Sequence, residues 1–425
     1  MKKISSLFTL LLFTFSFPLI AQELERVSPE EVGVSSDRIN QLTSVMQEYV
    51  DQDKMSGAVA LVARKNKIIY YNAVGKSDLE NNRMMRKDAI FRIASQTKAI
   101  VSVGIMILQE EGKLLISDPL SKFIPEFKES KVAVSGDDGN YKIVESKREI
   151  TLRDLLTHTS GIGYGQGIAS DLWAEAEIQG WYFADRDEPI IETVKRMANL
   201  PNDSQPGEQF VYGYSTDILG AVIEIVSGES LASFLKNRIL DPLKMVDTHF
   251  YLPKEKTDRL ATVYSSTKEG IKRAPDKGTM VSQGAYVNGP KKSYSGGAGF
   301  LSTAKDYAQF LQMMLNGGTF DGKRILSRKS IELMTTDHLG SISFPWSEGT
   351  GFGLGFSINT DLGIRGQMGS LGEYGWGGAY HSTYWVDPVE NLVVVYMSQL
   401  RSPNPGLDDY DKLRAGIYSA IVESN

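Results

Sequence analysis

Ile93-Ala94-Ser95-Gln96-Thr97-Lys98 opens a run to Gly112 that is apolar nearly all round, and this run decides the reading of the chain. Apolar residues on every face predict a buried helix, and Gly112 supplies its stop. Ser95 and Lys98 stand three apart at the start of that helix, so the hydroxyl and the amine share one face. A lysine held in apolar surroundings binds its proton less tightly and could take the proton of the serine. Free backbone N–H groups at a helix start could also hold an oxyanion beside the nucleophile. A four-residue pattern with two fixed positions is weak alone; most such matches are a capping serine and a surface lysine.

Around this run the pattern changes twice. Upstream, Ser35-Ser36-Asp37 caps a helical stretch to about Asp51, with apolar Ile39, Leu42, Val45, Met46 and Tyr49 at helical spacing. Gly57 to Arg64 and Lys67 to Val74 are rich in apolar residues and separated by Lys65-Asn66, a hairpin pattern. From Asp118 to about Val226 the spacing is mostly helical, and Asp241 to Pro290 is irregular. Strand patterns return at Phe352 to Ile358, Gly378 to Val386 and Leu392 to Met397, and Asp409 to Ile421 is an amphipathic helix. Strands at both ends predict an α/β fold with one antiparallel sheet built from the two termini and flanked by helices. The expected organisation is a single catalytic domain over 22–425, with a sheet lobe at about 22–100 and 290–425 and an inserted helix-rich lobe at about 101–289.

Composition sets the boundaries on function. The chain has 425 residues, 41% hydrophobic and 23% charged, with 46 Lys+Arg against 52 Asp+Glu and a net charge of −6. That is globular composition, and a mildly acidic chain without a basic stripe argues against nucleic acid as a partner. There is no cysteine, which excludes disulfides, thiolate metal sites and a cysteine nucleophile. The four histidines, His158, His249, His338 and His381, are too scattered for a metal-binding pattern, so neither a metal nor a cofactor is expected. Lys2 and Lys3, the apolar run Leu7 to Phe17 and small Ala21 read as a signal peptide over 1–21. The expectation is an exported protein, periplasmic or secreted, without a transmembrane anchor after cleavage; its oligomeric state is left open.

The Ser-x-x-Lys pattern does not stand alone. It is followed in order by Leu155-Leu156-Thr157-His158-Thr159-Ser160-Gly161, Pro206-Gly207-Glu208, Tyr212 with Asp217-Ile218-Leu219-Gly220, Asp241-Pro242-Leu243, Ser295-Gly296-Gly297-Ala298-Gly299 and Trp376-Gly377-Gly378. From about Ser28 to Val422 this series resembles the class C β-lactamase-like serine hydrolases, a family that includes penicillin-recognising carboxypeptidases, family VIII carboxylesterases and acyltransferases. The resemblance implies the β-lactamase/transpeptidase-like fold and a catalytic set of Ser95, Lys98 and Tyr212. The last is the proton-shuttling tyrosine of the family's Tyr-x-Asn element, placed by its spacing from Pro206 and Asp217. Tyr214 occupies the asparagine position, a departure that puts amide recognition in doubt.

Where β-lactamases carry Lys-Thr-Gly, this chain reads Trp376-Gly377-Gly378-Ala379, the form seen in the esterase and acyltransferase branches. An indole in place of a cation removes the attraction for a substrate carboxylate and supplies an apolar wall. The Ala379 N–H is expected to face that of Ser95 across an oxyanion hole. Tyr164, Tyr214, Trp376, Gly377, Gly378 and His381 are the expected substrate contacts, and His158 reads as structural. No Gly-x-Ser-x-Gly elbow supports a Ser-His-Asp triad. The leading expectation is an acyl hydrolase acting on small-molecule esters. The alternatives are a D,D-peptidase, D-aminopeptidase or β-lactamase acting on peptides or β-lactams, and a weakly catalytic ligand-binding relative.

Overall fold

The structure is a computed structural model and describes residues 24–136 and 140–424. The predicted signal peptide, 1–21, lies outside the described residues. A nine-stranded sheet forms the centre. Its strands are β1 (Glu25–Arg26), β2 (Gly57–Arg64), β3 (Lys67–Asp78), β4 (Arg83–Met84), β5 (Thr350–Phe352), β6 (Ser357–Asn359), β7 (Tyr374–Gly378), β8 (Ser382–Asp387) and β9 (Leu392–Ser398). Their order is β1-β3-β2-β9-β8-β7-β6-β5, with β4 on β3, and every pairing is antiparallel except β1 with β3. The β2–β9 ladder, with Leu61 opposite Val395, joins the two ends of the chain as the strand pattern predicts.

Every residue of β2 is buried, because both faces of the sheet are covered. Val59, Leu61 and Ala63 face α2 (Thr97–Glu110) and a later helix, Ala304–Leu315, in the larger core. Ala58, Ala60 and Val62 face helix α1 (Gln41–Asp51) and the C-terminal helix, Asp409–Ala420. The period-2 alternation of a strand thus feeds two cores at once. The β2–β3 turn is the expected pair Lys65-Asn66, both at positive φ (50° and 63°), as a two-residue turn that follows the strand twist requires.

Three details differ from the sequence reading. Phe352 to Ile358 is not one strand but a tight hairpin, β5 and β6, with Gly355 at φ 98° in the loop between them. Gly378 to Val386 is likewise interrupted: Gly378 ends β7, and the turn Ala379-Tyr380-His381 leads into β8. The region at 101–289 holds two hairpins, Lys131–Ser135 with Tyr141–Glu145 and Tyr264–Thr267 with Gly270–Arg273, the second extended by Leu400–Arg401. Short exposed strands of mixed polarity carry too little periodicity to be read without their pairing partner.

The chain ends are stitched by Arg64, whose side chain is fully buried. It donates to the carbonyls of Val32 (2.7 Å), Gly33 (3.3 Å), Glu390 (3.0 Å) and Glu423 (2.8 Å) and pairs with the Glu390 carboxylate at 2.8 Å. Removing the cation strands these acceptors in a dry place. Arg64→Met is therefore expected to cost roughly 3–5 kcal/mol, read as a lower urea midpoint at unchanged m-value. A loss under about 1 kcal/mol would show that water satisfies these groups instead.

Candidate active site

Ser95 does not open the α-helix itself. It sits in a 3₁₀ turn, Ala94–Gln96, immediately before α2, and Ala94 takes φ 41°, a conformation that an L-residue rarely adopts. This turn leaves Ser95 half-buried while its neighbours Ala94, Gln96 and Lys98 are buried. Lys98, only 2% exposed, donates from Nζ to Ser95 Oγ (3.3 Å), to the Tyr164 hydroxyl (3.1 Å) and to the Gly297 carbonyl (2.8 Å). The nitrogen thus has three hydrogen-bond partners.

The Gly297 segment is held in turn by Asp217, which lies in helix Ser215–Ser227. Asp217 Oδ1 accepts from Ser295 Oγ (2.6 Å) and from the Gly297 N–H (3.0 Å), and Ser295 Oγ also accepts from the Ala298 N–H (3.0 Å). Burial raises the affinity of Asp217 for its proton, and the nearby Lys98 charge opposes this. The sequence reading noted these motifs but gave Asp217 and Gly297 no role. Nothing in the spacing of 217 and 297 says that they meet.

Tyr212 and Tyr164 share the lysine differently from expectation. The hydroxyl that Lys98 bonds is that of Tyr164, whereas Lys98 Nζ lies over the Tyr212 ring, 4.5 Å from its centroid. The Tyr212 oxygen instead accepts the Trp376 indole N–H at 3.0 Å. Burial, reinforced by the Tyr212, Asp217 and Tyr214 oxygens, pushes the Tyr164 phenol well above its usual range and keeps it protonated at neutral pH. Tyr164 is therefore suited to orienting the ammonium rather than to accepting a proton.

Trp376 stands in an aromatic wall. Its ring centroid is 5.4 Å from Tyr212, 5.2 Å from Phe352 and 5.7 Å from Trp346, and Phe344 and Phe210 complete the wall. Trp346 is 58% exposed and caps this group from the solvent side. The sequence reading missed Phe344 and Trp346; the only signal was a Phe-Pro-Trp triplet in an otherwise polar loop.

Gly378 meets the nucleophile turn directly. A Cβ there would lie 2.5 Å from the Ile93 carbonyl oxygen, so β7 and the turn touch through backbone alone. Among the described residues neither the Ser95 nor the Ala379 backbone N–H donates to a protein acceptor. The side of β7 that Gly377 presents opens away from Ser95, toward Arg365, Glu373 and Arg414.

Two expected substrate contacts are corrected. Tyr214 is fully buried, donates to the Gly180 carbonyl at 2.7 Å and stacks on Trp173, because the helix that follows it turns its side chain into the core. His381 is turned away from the cleft. The turn puts it at φ 57°, where its Nε2 lies 2.9 and 3.0 Å from the two oxygens of Asp409 and its ring stacks on Tyr410.

The Beta-lactamase family model matches residues 42–418. The chain belongs to the beta-lactamase family. It is an enzyme of the serine hydrolase class with the β-lactamase/transpeptidase-like fold. Over 366 residues, 83% of this chain and 88% of the relative, it is 33% identical to an uncharacterized protein of Mycobacterium tuberculosis. It is 30% identical over 375 residues to esterase EstB of Burkholderia gladioli, covering 84% of this chain and 89% of that one. The solved structure of EstCE1, a hydrolase with promiscuous acyltransferase activity, superposes with a TM-score of 0.77 at 26% identity, over 90% of this chain and 99% of that chain.

In this beta-lactamase-family site His158 sits behind Tyr212, ring centroids 4.6 Å apart, at φ 55° and buried. Burial, with the Lys98 charge, depresses its proton affinity well below the usual histidine range. The folded protein thus keeps His158 neutral where the unfolded chain takes up a proton. Stability from this group is present above about pH 6.5 and is lost as pH falls through the range in which the unfolded histidine takes up its proton. His158→Phe is expected to narrow the difference between the urea midpoints at pH 7 and pH 5. An undiminished difference would show that His158 is protonated in the fold.

Proposed function

We propose that the chain is an exported esterase that works through an acyl-enzyme on Ser95. In this reading the Lys98 amine, uncharged when the reaction begins, takes the Ser95 proton as Oγ attacks the ester carbonyl, and Tyr212 carries it on toward the leaving group. The oxyanion that forms rests on the Ser95 and Ala379 N–H groups. Collapse expels the alcohol, which takes its proton by way of Tyr212, and water then repeats the sequence to release the acid. Tyr164 and the Gly297 carbonyl hold the Lys98 amine at the nucleophile, so they are positioning groups.

The observation that carries an ester rather than a β-lactam or a peptide is the Trp376 indole. It fills the strand position at which a cation would attract a carboxylate, and its N–H is used on Tyr212. The aromatic wall beside it suits an apolar leaving group. Similarity to esterase EstB supports the same choice. Export rests on the leader-like composition of residues 1–21.

Purified enzyme is expected to hydrolyse p-nitrophenyl butyrate faster than a chromogenic cephalosporin, and Ser95→Ala to abolish turnover while leaving the unfolding curve within about 1 kcal/mol of wild type. A faster cephalosporin rate would overturn the ester assignment. Tyr212→Phe is expected to lower kcat at least about 10²-fold with little change in KM. Tyr164→Phe, which leaves the shuttle in place, should cost less; the reverse ranking would exchange the roles of the two tyrosines.

A further inference from the structure

The turn Ala379-Tyr380-His381 is pinned on its carbonyl side by the end of β9 and the residues after it. Ser398 Oγ donates to the His381 carbonyl (2.7 Å), the Leu400 N–H donates to the Tyr380 carbonyl (3.1 Å), and Arg401 Nη1 donates to the Ala379 carbonyl. Only the last brings a charge. The Arg401 guanidinium packs against two aromatic rings, with its carbon 5.5 Å from the Trp181 centroid and 5.7 Å from that of Tyr380. Tyr380, with Ala94 and Ala298, forms the small core against which Trp181 and Ala379 pack, so this shelf adjoins the nucleophile turn.

Arg401 differs from Arg64 and Arg414 and, like Arg92, has no carboxylate partner among the described residues; Arg92 instead uses its donors on the Gln283 and Ala261 carbonyls and on Gln399. Arg64 and Arg414 are each paired with a carboxylate. Among the described residues no acidic side chain pairs with Arg401, and its buried Nε has no hydrogen-bond partner. A half-buried, uncompensated guanidinium is costly to keep unless something anionic comes to it.

Its place relative to the reaction follows from backbone geometry. The amide nitrogen and carbonyl oxygen of one residue are at most about 3.7 Å apart, and the two hydrogen bonds, guanidinium to carbonyl and N–H to oxyanion, add about 3 Å each. The guanidinium therefore lies within about 10 Å of an oxyanion held by the Ala379 N–H. Trp376 and Tyr212 stand at the other end of this strand edge, where the leaving alcohol collects its proton. Arg401 and Trp181 consequently border the acyl side.

We infer that Arg401 selects the acyl group, and that the preferred substrates are esters whose acyl chain ends in a carboxylate, roughly two or three methylene groups from the scissile carbonyl. The inference rests on the ester reading given above and adds an acid-bearing acyl half to the apolar leaving group. A guanidinium also offers paired donors that match a carboxylate, which an ammonium does not.

The test compares mono-ethyl glutarate with ethyl valerate, near-isosteric acyl chains that differ in the terminal acid, on wild type, Arg401→Met, Arg401→Lys and Arg401→Gln, following acid release at low and moderate salt. Arg401→Met is expected to lower kcat/KM for the glutarate at least about 10-fold more than for the valerate, and Arg401→Lys to keep part of the preference. Arg401→Gln retains a donor for the Ala379 carbonyl without the charge; it should lose the preference like Arg401→Met while holding the turn. Added salt should erode the wild-type preference. Equal losses on both esters would make Arg401 a turn-holding residue and overturn the inference. If p-nitrophenyl butyrate is turned over and the ratio does not move, only the Arg401 assignment fails; if no ester acylates Ser95, the ester reading fails with it.

Discussion

The site depends on a buried lysine nitrogen that has to be satisfied. Lys98 is almost without solvent, so its nitrogen needs hydrogen-bond partners from the protein, and the three come from different parts of the chain: Ser95 from its own turn, Tyr164 from the loop after Gly161, and the Gly297 carbonyl from the Ser295–Gly299 segment. Leaving any one unmade would cost on the order of 1–3 kcal/mol or more for a charged donor. The same requirement therefore brings a nucleophile, a phenol and a backbone carbonyl to within hydrogen-bond distance of one nitrogen. Asp217 extends the arrangement one step further, because it fixes the Gly297 carbonyl through the N–H of the same residue and through Ser295.

Much of this was legible in the sequence, and the division has a physical cause. The helix from 97, the strand at 57–64 and the strand at 392 stand out as near-continuous apolar runs because they are buried on all sides. Ser95 and Lys98 were legible because three-residue spacing on a helix fixes a contact by itself. Tyr214 and His381 were misplaced for the opposite reason: both stand at a change of backbone direction. Tyr214 immediately precedes a helix, and His381 sits in the positive-φ corner of a turn, so alternation along a strand no longer says which way the side chain points. The roles of Arg401, Trp346 and Gly297 were not legible, although Gly297 lies in a quoted motif, since they arise from pairings across about 20 to 200 residues of chain that no local pattern encodes.

The gap between the 94–96 turn and β7 shows how strain and close approach are combined. Ala94 takes φ 41°, which costs of order 1–3 kcal/mol for a residue with a Cβ. Among the described residues the Ser95 N–H that follows it donates to no protein acceptor. The opposite wall can come near only because residue 378 has no side chain: a Cβ there would fall 2.5 Å from the Ile93 carbonyl. Backbone meets backbone across this gap, and backbone is harder to displace than a side chain. The spacing between the two free N–H groups is therefore set by a steric limit on one side and by the pinned carbonyls of the 379–381 turn on the other, with Ser398, Leu400 and Arg401 as the pins. A donor pair held in this way needs no rearrangement when charge develops on the substrate oxygen, which is the condition under which such donors contribute most to a reaction.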